Sequence, residues 1–300
     1  MASTRELRRR IKSVKNTAQI TKAMQMVAAT KMRKAQLQAM AGRPYNFTLK
    51  DALSRLLTRT DVASHKLLQD NGGKSIGVVV FSTDKSLCGA LNTNLFRAVQ
   101  NFSKENSNLI FYTIGSKGRN FIVKTGKTLE ADFENPEKVT FRQAVQLSRL
   151  ILEQFNKGIL KEVYLVYPDF VSALRQEPRI VKLLPIALED LIKETLDSSL
   201  DNRQETKLKK QETNESEFLF EPDFASLLDF TLNHFLQVRV YQALLETKAS
   251  EHSARMIAMQ NATDNAKELV EDLQLTYNQT RQAAITTELL EITSASAAMQ

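Results

Sequence analysis

Apolar residues recur at alternating steps of four and three along both ends of the chain. From Leu7 the series runs Leu7, Ile11, Val14, Ala18, Thr21, Gln25, Ala28, Met32, Ala35 and Ala39, apolar at eight of ten positions. From Phe235 the same steps give Phe235, Val238, Gln242, Leu245, Ala249, His252, Met256, Met259, Thr263, Ala266, Val270, Leu273, Tyr277, Thr280 and Ala284, apolar at eleven of fifteen. This spacing predicts two long helices with one seam each. The seams are rich in Ala, Thr and Met, so they let two axes approach closely while burying little area per turn. Helix breakers agree: all nine glycines lie between Gly42 and Gly158, and all six prolines between Pro44 and Pro222. Ser3-Thr4-Arg5-Glu6 reads as a capping box that starts the first helix, and Gly42-Arg43-Pro44 as its stop. At 1.5 Å per residue, the segments 1–41 and 223–300 could extend about 60 and 115 Å. A second apolar stripe, Ile20, Met24 and Val27, lies beside the first seam, and Ile285, Leu289 and Ile292 repeat its spacing. Such stripes either widen the pair's own seam or offer a surface to another protein.

Between the long helices the pattern changes. IGVVVF (76–81), LIFYTIG (109–115), EVYLVY (162–167) and RIVKLLPI (179–186) are runs of strand length, separated by helical stretches such as 91–103 and 140–157. That alternation predicts an α/β domain with a mostly parallel sheet. Residues 194–217 are polar and charged with almost no apolar content, which predicts a solvated loop or flexible insertion.

Charge relates the two ends. Residues 1–41 carry ten basic side chains and one acidic, Glu6, whereas 223–300 carry five basic and ten acidic, within a chain of net charge +7. The ends are therefore complementary and predict an antiparallel pair. The cancellation is incomplete, leaving a basic face along Arg8, Arg9, Arg10, Lys12, Lys15 and Lys22. The acid-poor start also has the composition of an organellar transit peptide, but its periodicity runs on to Ala41. No run of eighteen apolar residues exists, so no bilayer-spanning helix is expected. The single cysteine, Cys88, excludes an internal disulfide and suits a reducing compartment.

Catalytic constellations are weak. NGGKS (71–75) echoes a phosphate loop, but Leu68 stands where the first glycine is required and no strand precedes it. IGSKG (114–118) is better placed for phosphate, at a strand end, although a G-x-x-G there more often makes a tight strand-to-helix turn. His65, His234 and His252 have no metal-ligand spacing. No nucleophile–base pair or carboxylate dyad stands out.

Four segments carry a resemblance: RRRIKSVKNTAQITKAMQMVAATKMRKAQ (8–36), STDKSLCGALN (82–92), SEHSARMIAMQNATDNA (250–266) and YNQTRQAAITTELLEI (277–292). Together they resemble the gamma subunits of F-type ATP synthases. The resemblance implies a long antiparallel coiled coil of the N- and C-terminal helices (1–41 and 223–300) with an inserted Rossmann-like α/β domain (42–222, including the polar insertion at 194–217). It implies a non-catalytic central-stalk rotor, one copy per complex, turning inside a ring of alpha and beta subunits that holds the catalytic sites. It further implies epsilon and the membrane c-ring as partners, no cofactor of its own, and a peripheral place on the cytoplasmic side of a bacterial inner membrane. Carried over residue by residue, the contacts to the ring fall on Met24, Arg255, Arg281, Gln282 and Thr286. The chain departs from the family's usual S-D-R-G-L-C-G-G-L-N at Lys85-Ser86 and Ala90, and it lacks the cysteine pair of the chloroplast form.

Two other classes fit parts of the pattern. A basic coiled-coil scaffold or nucleic-acid-binding protein would use the Lys/Arg face on phosphates, but that face has no interleaved aromatics and its counter-charge lies on the C-terminal helix. An enzyme with a nucleotide in the α/β domain would need a glycine fingerprint that is absent. Residues 194–217 have too little apolar surface to offset their ordering entropy. Trimming them is expected to leave assembly and ATP hydrolysis of the complex intact; loss of the complex on purification would make the segment a docking element.

Overall fold

The computed structural model describes residues 3–57, 65–186 and 223–298; the 194–217 segment lies outside them. Helix α1 spans Thr4–Leu57, and the last helix, α5, spans the 75 residues Phe224–Ala298. Ser3 caps α1 by accepting the Glu6 N–H on its Oγ at 3.3 Å. The two helices run antiparallel: Thr21 meets Thr263 (Oγ1···Oγ1 2.7 Å), and Gln38 donates to the Tyr241 hydroxyl at 2.9 Å. Further along, Asn46 donates to Gln242 at 3.3 Å. Every predicted seam position of α1 is buried or half-buried, and in α5 only Ala284 is exposed. Beyond Ala266 the covered residues of α5 are Val270, Leu273, Tyr277 and Thr280, at the predicted steps.

Two expectations about the pair need correction. The first helix does not stop at Gly42-Arg43-Pro44; it passes through Pro44 and ends at Leu57. A proline inside a helix costs about 3 kcal/mol. Here tertiary contact outweighs it, because the extension buries Leu53 and Leu56 in the main core and Tyr45 bonds His234 of α5. The second correction concerns charge. Among the described residues no ion pair joins α1 to α5, and the bonds between them are made by Thr, Gln, Asn, Tyr and His side chains. Arg8, Arg9, Arg10, Lys12, Lys15 and Lys22 are all exposed.

The chain between them builds one five-stranded sheet. Its elements are β1 (Ser75–Phe81), α2 (Leu91–Glu105), β2 (Leu109–Ile114), α3 (Ser116–Lys124), β3 (Thr128–Phe133), α4 (Phe141–Asn156), β4 (Leu160–Phe170) and β5 (Gln176–Leu184). The strand order is β3-β2-β1-β4-β5, with the first four parallel and β5 antiparallel to β4. The two-residue period of β1 serves two layers. Val78 and Val80 face Leu95, Val99 and Ile122 of α2 and α3, while Val79 and Phe81 join the larger core with α4, α5 and the end of α1. Strand β3, TLEADF, was absent from the four predicted runs. It is an edge strand with Thr128, Glu130 and Asp132 exposed, so only three of its six residues are apolar.

Gly115 fixes how β2 turns into α3. Its φ is +96°, and a Cβ there would stand 2.4 Å from the Ser82 carbonyl oxygen. Gly115→Ala is expected to cost about 2–5 kcal/mol through strain and overpacking, read as a lower urea midpoint with an unchanged slope.

Candidate functional site

In a doubly wound sheet, ligands bind where strand order reverses, outside the carboxyl ends of the strands. Here the reversal lies between β1 and β4, and the chain itself occupies it. The Ser82 hydroxyl faces the Ile114 and Gly115 carbonyls at 3.0 and 3.1 Å and accepts the Gly118 N–H at 2.8 Å. Asp84 accepts the Ser116 N–H at 2.7 Å and its hydroxyl at 2.8 Å, while Lys117 N–H reaches the Thr83 carbonyl. A carboxylate on the start of α3 satisfies the donors that would otherwise attract an anion. IGSKG is thus a filled strand-to-helix turn. NGGKS is likewise a turn, with Gly72 at φ +63° and its N–H on Asp70.

The same loop then grips α5. Asn135 donates its side-chain amide to the Ser82 carbonyl and its backbone N–H to Asp84, while its carbonyl accepts from Lys248 at 3.3 Å. Lys248 also bonds Glu251 at 3.0 Å; the other Glu251 oxygen takes Arg255 at 2.9 Å, and Arg255 returns to the Ser86 carbonyl at 3.4 Å. The three side chains are only 8%, 5% and 12% exposed. Ser250 and Ser253 donate to the Pro168 and Ala173 carbonyls on and beside β4. The ring closes from loop to helix and back to loop. His252, on the seam, is held neutral: burial pulls its pKa down to about 4 against the opposing pull of Glu251. Burial also pushes the Cys88 thiol up, leaving it protonated and inert beside Thr83 and Asn92.

Ser86 and Ala90 replace glycines of the family pattern without strain. Within the loop the left-handed residues are Leu87 (φ +65°) and Gly89 (φ +58°), and Ala90 sits at φ −85° before α2. The five sequence-predicted contact residues do not form one cluster. Met24 is half-buried on α1, with Ile20 and Val27 exposed beside it. Arg255 is committed to the joint just described. Arg281, Gln282 and Thr286 are exposed on α5 beyond the last covered seam residue, Thr280.

A sequence profile of the family described as ATP synthase matches residues 3–299. The chain is 41% identical over 308 residues to the ATP synthase gamma chain of Methylacidiphilum infernorum, covering all of both chains. It belongs to the ATP synthase gamma chain family. The gamma chain of Opitutus terrae is 42% identical over 98% of each chain. Among solved structures, a chain of the Euglena gracilis mitochondrial ATP synthase, OSCP/F1/c-ring in rotational state 3, matches with a TM-score of 0.66 and 25% identity, over 99% of this chain and 94% of that one. In this member of the gamma chain family the joint between helix and sheet is the part that the sequence reading missed. Lys248, Ser250, Glu251 and Ser253 lie off the seam, where a two-helix pair predicts solvent. Four polar residues in the motif TKASEHS gave a signal, but only the position of the sheet shows that they are covered.

Glu251→Ala would leave Lys248 and Arg255 covered and uncompensated. It is expected to cost about 3–5 kcal/mol, and adding Lys248→Met is expected to return part of that loss in the same denaturant titration.

Proposed function

We propose that this chain is the central-stalk rotor of an F-type ATP synthase, coupling ion flow through a membrane c-ring to ATP synthesis or hydrolysis in an alpha/beta ring. The observation that carries the reading is the shape of α5. It is paired with α1 up to Thr280, then runs on to Ala298 with every residue from 281 to 296 exposed. A helix standing clear of its own fold, with apolar Ile285, Leu289, Leu290 and Ile292 on its surface, is built to be surrounded by other protein. The paired helices act as an asymmetric antiparallel coiled coil, and the sheet domain is the foot that meets epsilon and the c-ring. One copy serves each complex, held peripherally on the cytoplasmic side of a bacterial inner membrane. No described helix is long and apolar enough to cross a bilayer.

A shaft that turns within a ring needs contacts that recur at each step without trapping it. Coulomb attraction between the basic face of α1 and acidic ring loops falls off gently with distance, which suits that need. Met24 is pliable and apolar, suited to sliding. Arg281 and Gln282 combine a guanidinium fork with an amide, which can bond backbone and carboxylate groups of one loop together. Thr286 lies one turn further along, its hydroxyl donating to the Gln282 carbonyl. Arg255 keeps donors beyond those used on Glu251 and Ser86, so it can brace the foot and touch the ring at once. Enzymatic use of the foot is disfavoured because the switch point is filled by Asp84, Asn135 and α5.

The test compares two variants in ATP-driven ion pumping. Deleting 293–300 is expected to retain most activity, whereas Arg281→Ala with Gln282→Ala is expected to lower activity or assembly markedly. A more damaging tail deletion would move the bearing contacts to the tip.

A further inference from the structure

Below the Lys248–Glu251 ring, a second polar cluster joins three elements around the Glu246 carboxyl. Gln242 donates to Glu246 Oε1 at 3.0 Å and in turn accepts from Asn46 of α1. Glu246 Oε2 is buried and has no hydrogen-bond donor facing it. What faces it is the Asp169 carboxyl of β4, within hydrogen-bonding reach, and Asp169 also holds Arg179 of β5 at 3.5 Å. Tyr167 of β4 and Arg239 of α5 complete the charged and titratable surroundings, while α1 supplies the neutral Asn46. Two carboxyls this close can bond only if one carries a proton. Arg179 pairs with Asp169, while burial raises the Glu246 pKa, so Glu246 is the acid of the pair.

We propose that Glu246 and Asp169 share one proton and thereby latch α5 to the β4–β5 hairpin, forming a joint that loosens when the proton leaves. Burial is the first cause that raises the Glu246 pKa, from 4.5 to about 7, with the Asp169 charge adding to it against the Gln242 bond. A raised carboxyl pKa means that the folded chain holds a proton which the unfolded chain has released. The stabilisation is complete below about 4.5 and is lost as pH rises through about 7. Above that, two like charges oppose each other at a covered site and the hairpin is pushed from the helix. The latch needs no partner subunit, so it stands or falls separately from the rotor reading.

Hydrogen–deuterium exchange of the full chain tests it, following peptides over 163–170 and 242–250 from pH 6 to 8.5 after correction for intrinsic rates. Opening is expected to rise by roughly 10-fold across that range in the wild type and to stay nearly flat in Glu246→Gln. Infrared spectra at pH 6 are expected to show a protonated carboxyl band that Glu246→Gln removes. If that variant does not fold, Asp169→Asn serves: it is expected to shift the opening midpoint to lower pH. An equal pH dependence in the wild type and Glu246→Gln, an unmoved midpoint in Asp169→Asn, or no carboxyl band at pH 6 would overturn the proposal.

Discussion

The structure depends on one stretch of α5 that is covered on every side. From Ala243 to Ala254 only Glu246 is even half-exposed, because α1 lies along one side and the sheet with its loops lies along the others. A helix in that position cannot carry polar side chains unless each finds a partner. Lys248, Ser250 and Ser253 find theirs at the Asn135, Pro168 and Ala173 carbonyls, and Glu251 accepts from Lys248 and Arg255 of the same helix. The direction of the long helix relative to the foot is therefore set by directional bonds rather than by apolar area alone. Breaking one bond leaves a buried group unpaired, so the joint resists bending more than its buried area would suggest.

Outside that stretch the pairing is thin. The α1–α5 seam beyond the foot uses Ala18, Thr21, Ala28, Thr263 and Ala266, with a single hydroxyl pair near its middle. Small residues bring the axes close and give the pair shape without much hydrophobic energy. Because Thr, Gln, Asn, Tyr and His side chains make the cross-helix bonds, the basic face of α1 stays on the surface. That division separates the two tasks: seam residues hold the shaft together, and the basic face remains available to a partner.

Periodicity made the two long helices legible, since a step of 3.5 residues sustained over so many positions has few other interpretations. The central strands were legible because burial on both faces makes them continuously apolar; β3 was not, because an edge strand reads as a polar stretch. The end of α1 was misread for a different reason. Gly42 and Pro44 are local stop signals, and only the covered surface around Leu53 and Leu56 shows why the helix continues. The ring contacts proposed at 281–286 came from resemblance, for nothing in their own pattern distinguishes Arg281 from other exposed arginines. Lys248, Glu251 and Glu246 were hidden because a seam count assigns them to solvent, and the contacts that cover this stretch come from residues 80 to 113 positions away.

The free end of α5 raises the reverse problem, a helix with no fold around it. An isolated helix of fewer than twenty residues is marginal in water because nucleation is costly. Residues 281–298 avoid that cost, since they propagate from turns already fixed by the seam at Tyr277 and Thr280. Propagation alone leaves Ile285, Leu289 and Ile292 in contact with water along one face, at the spacing of an apolar stripe. That arrangement is favourable only where something else covers the stripe. A chain that carries its helix this far past its own partner thus places its least self-sufficient surface at the point where, in the rotor reading, the ring closes around it.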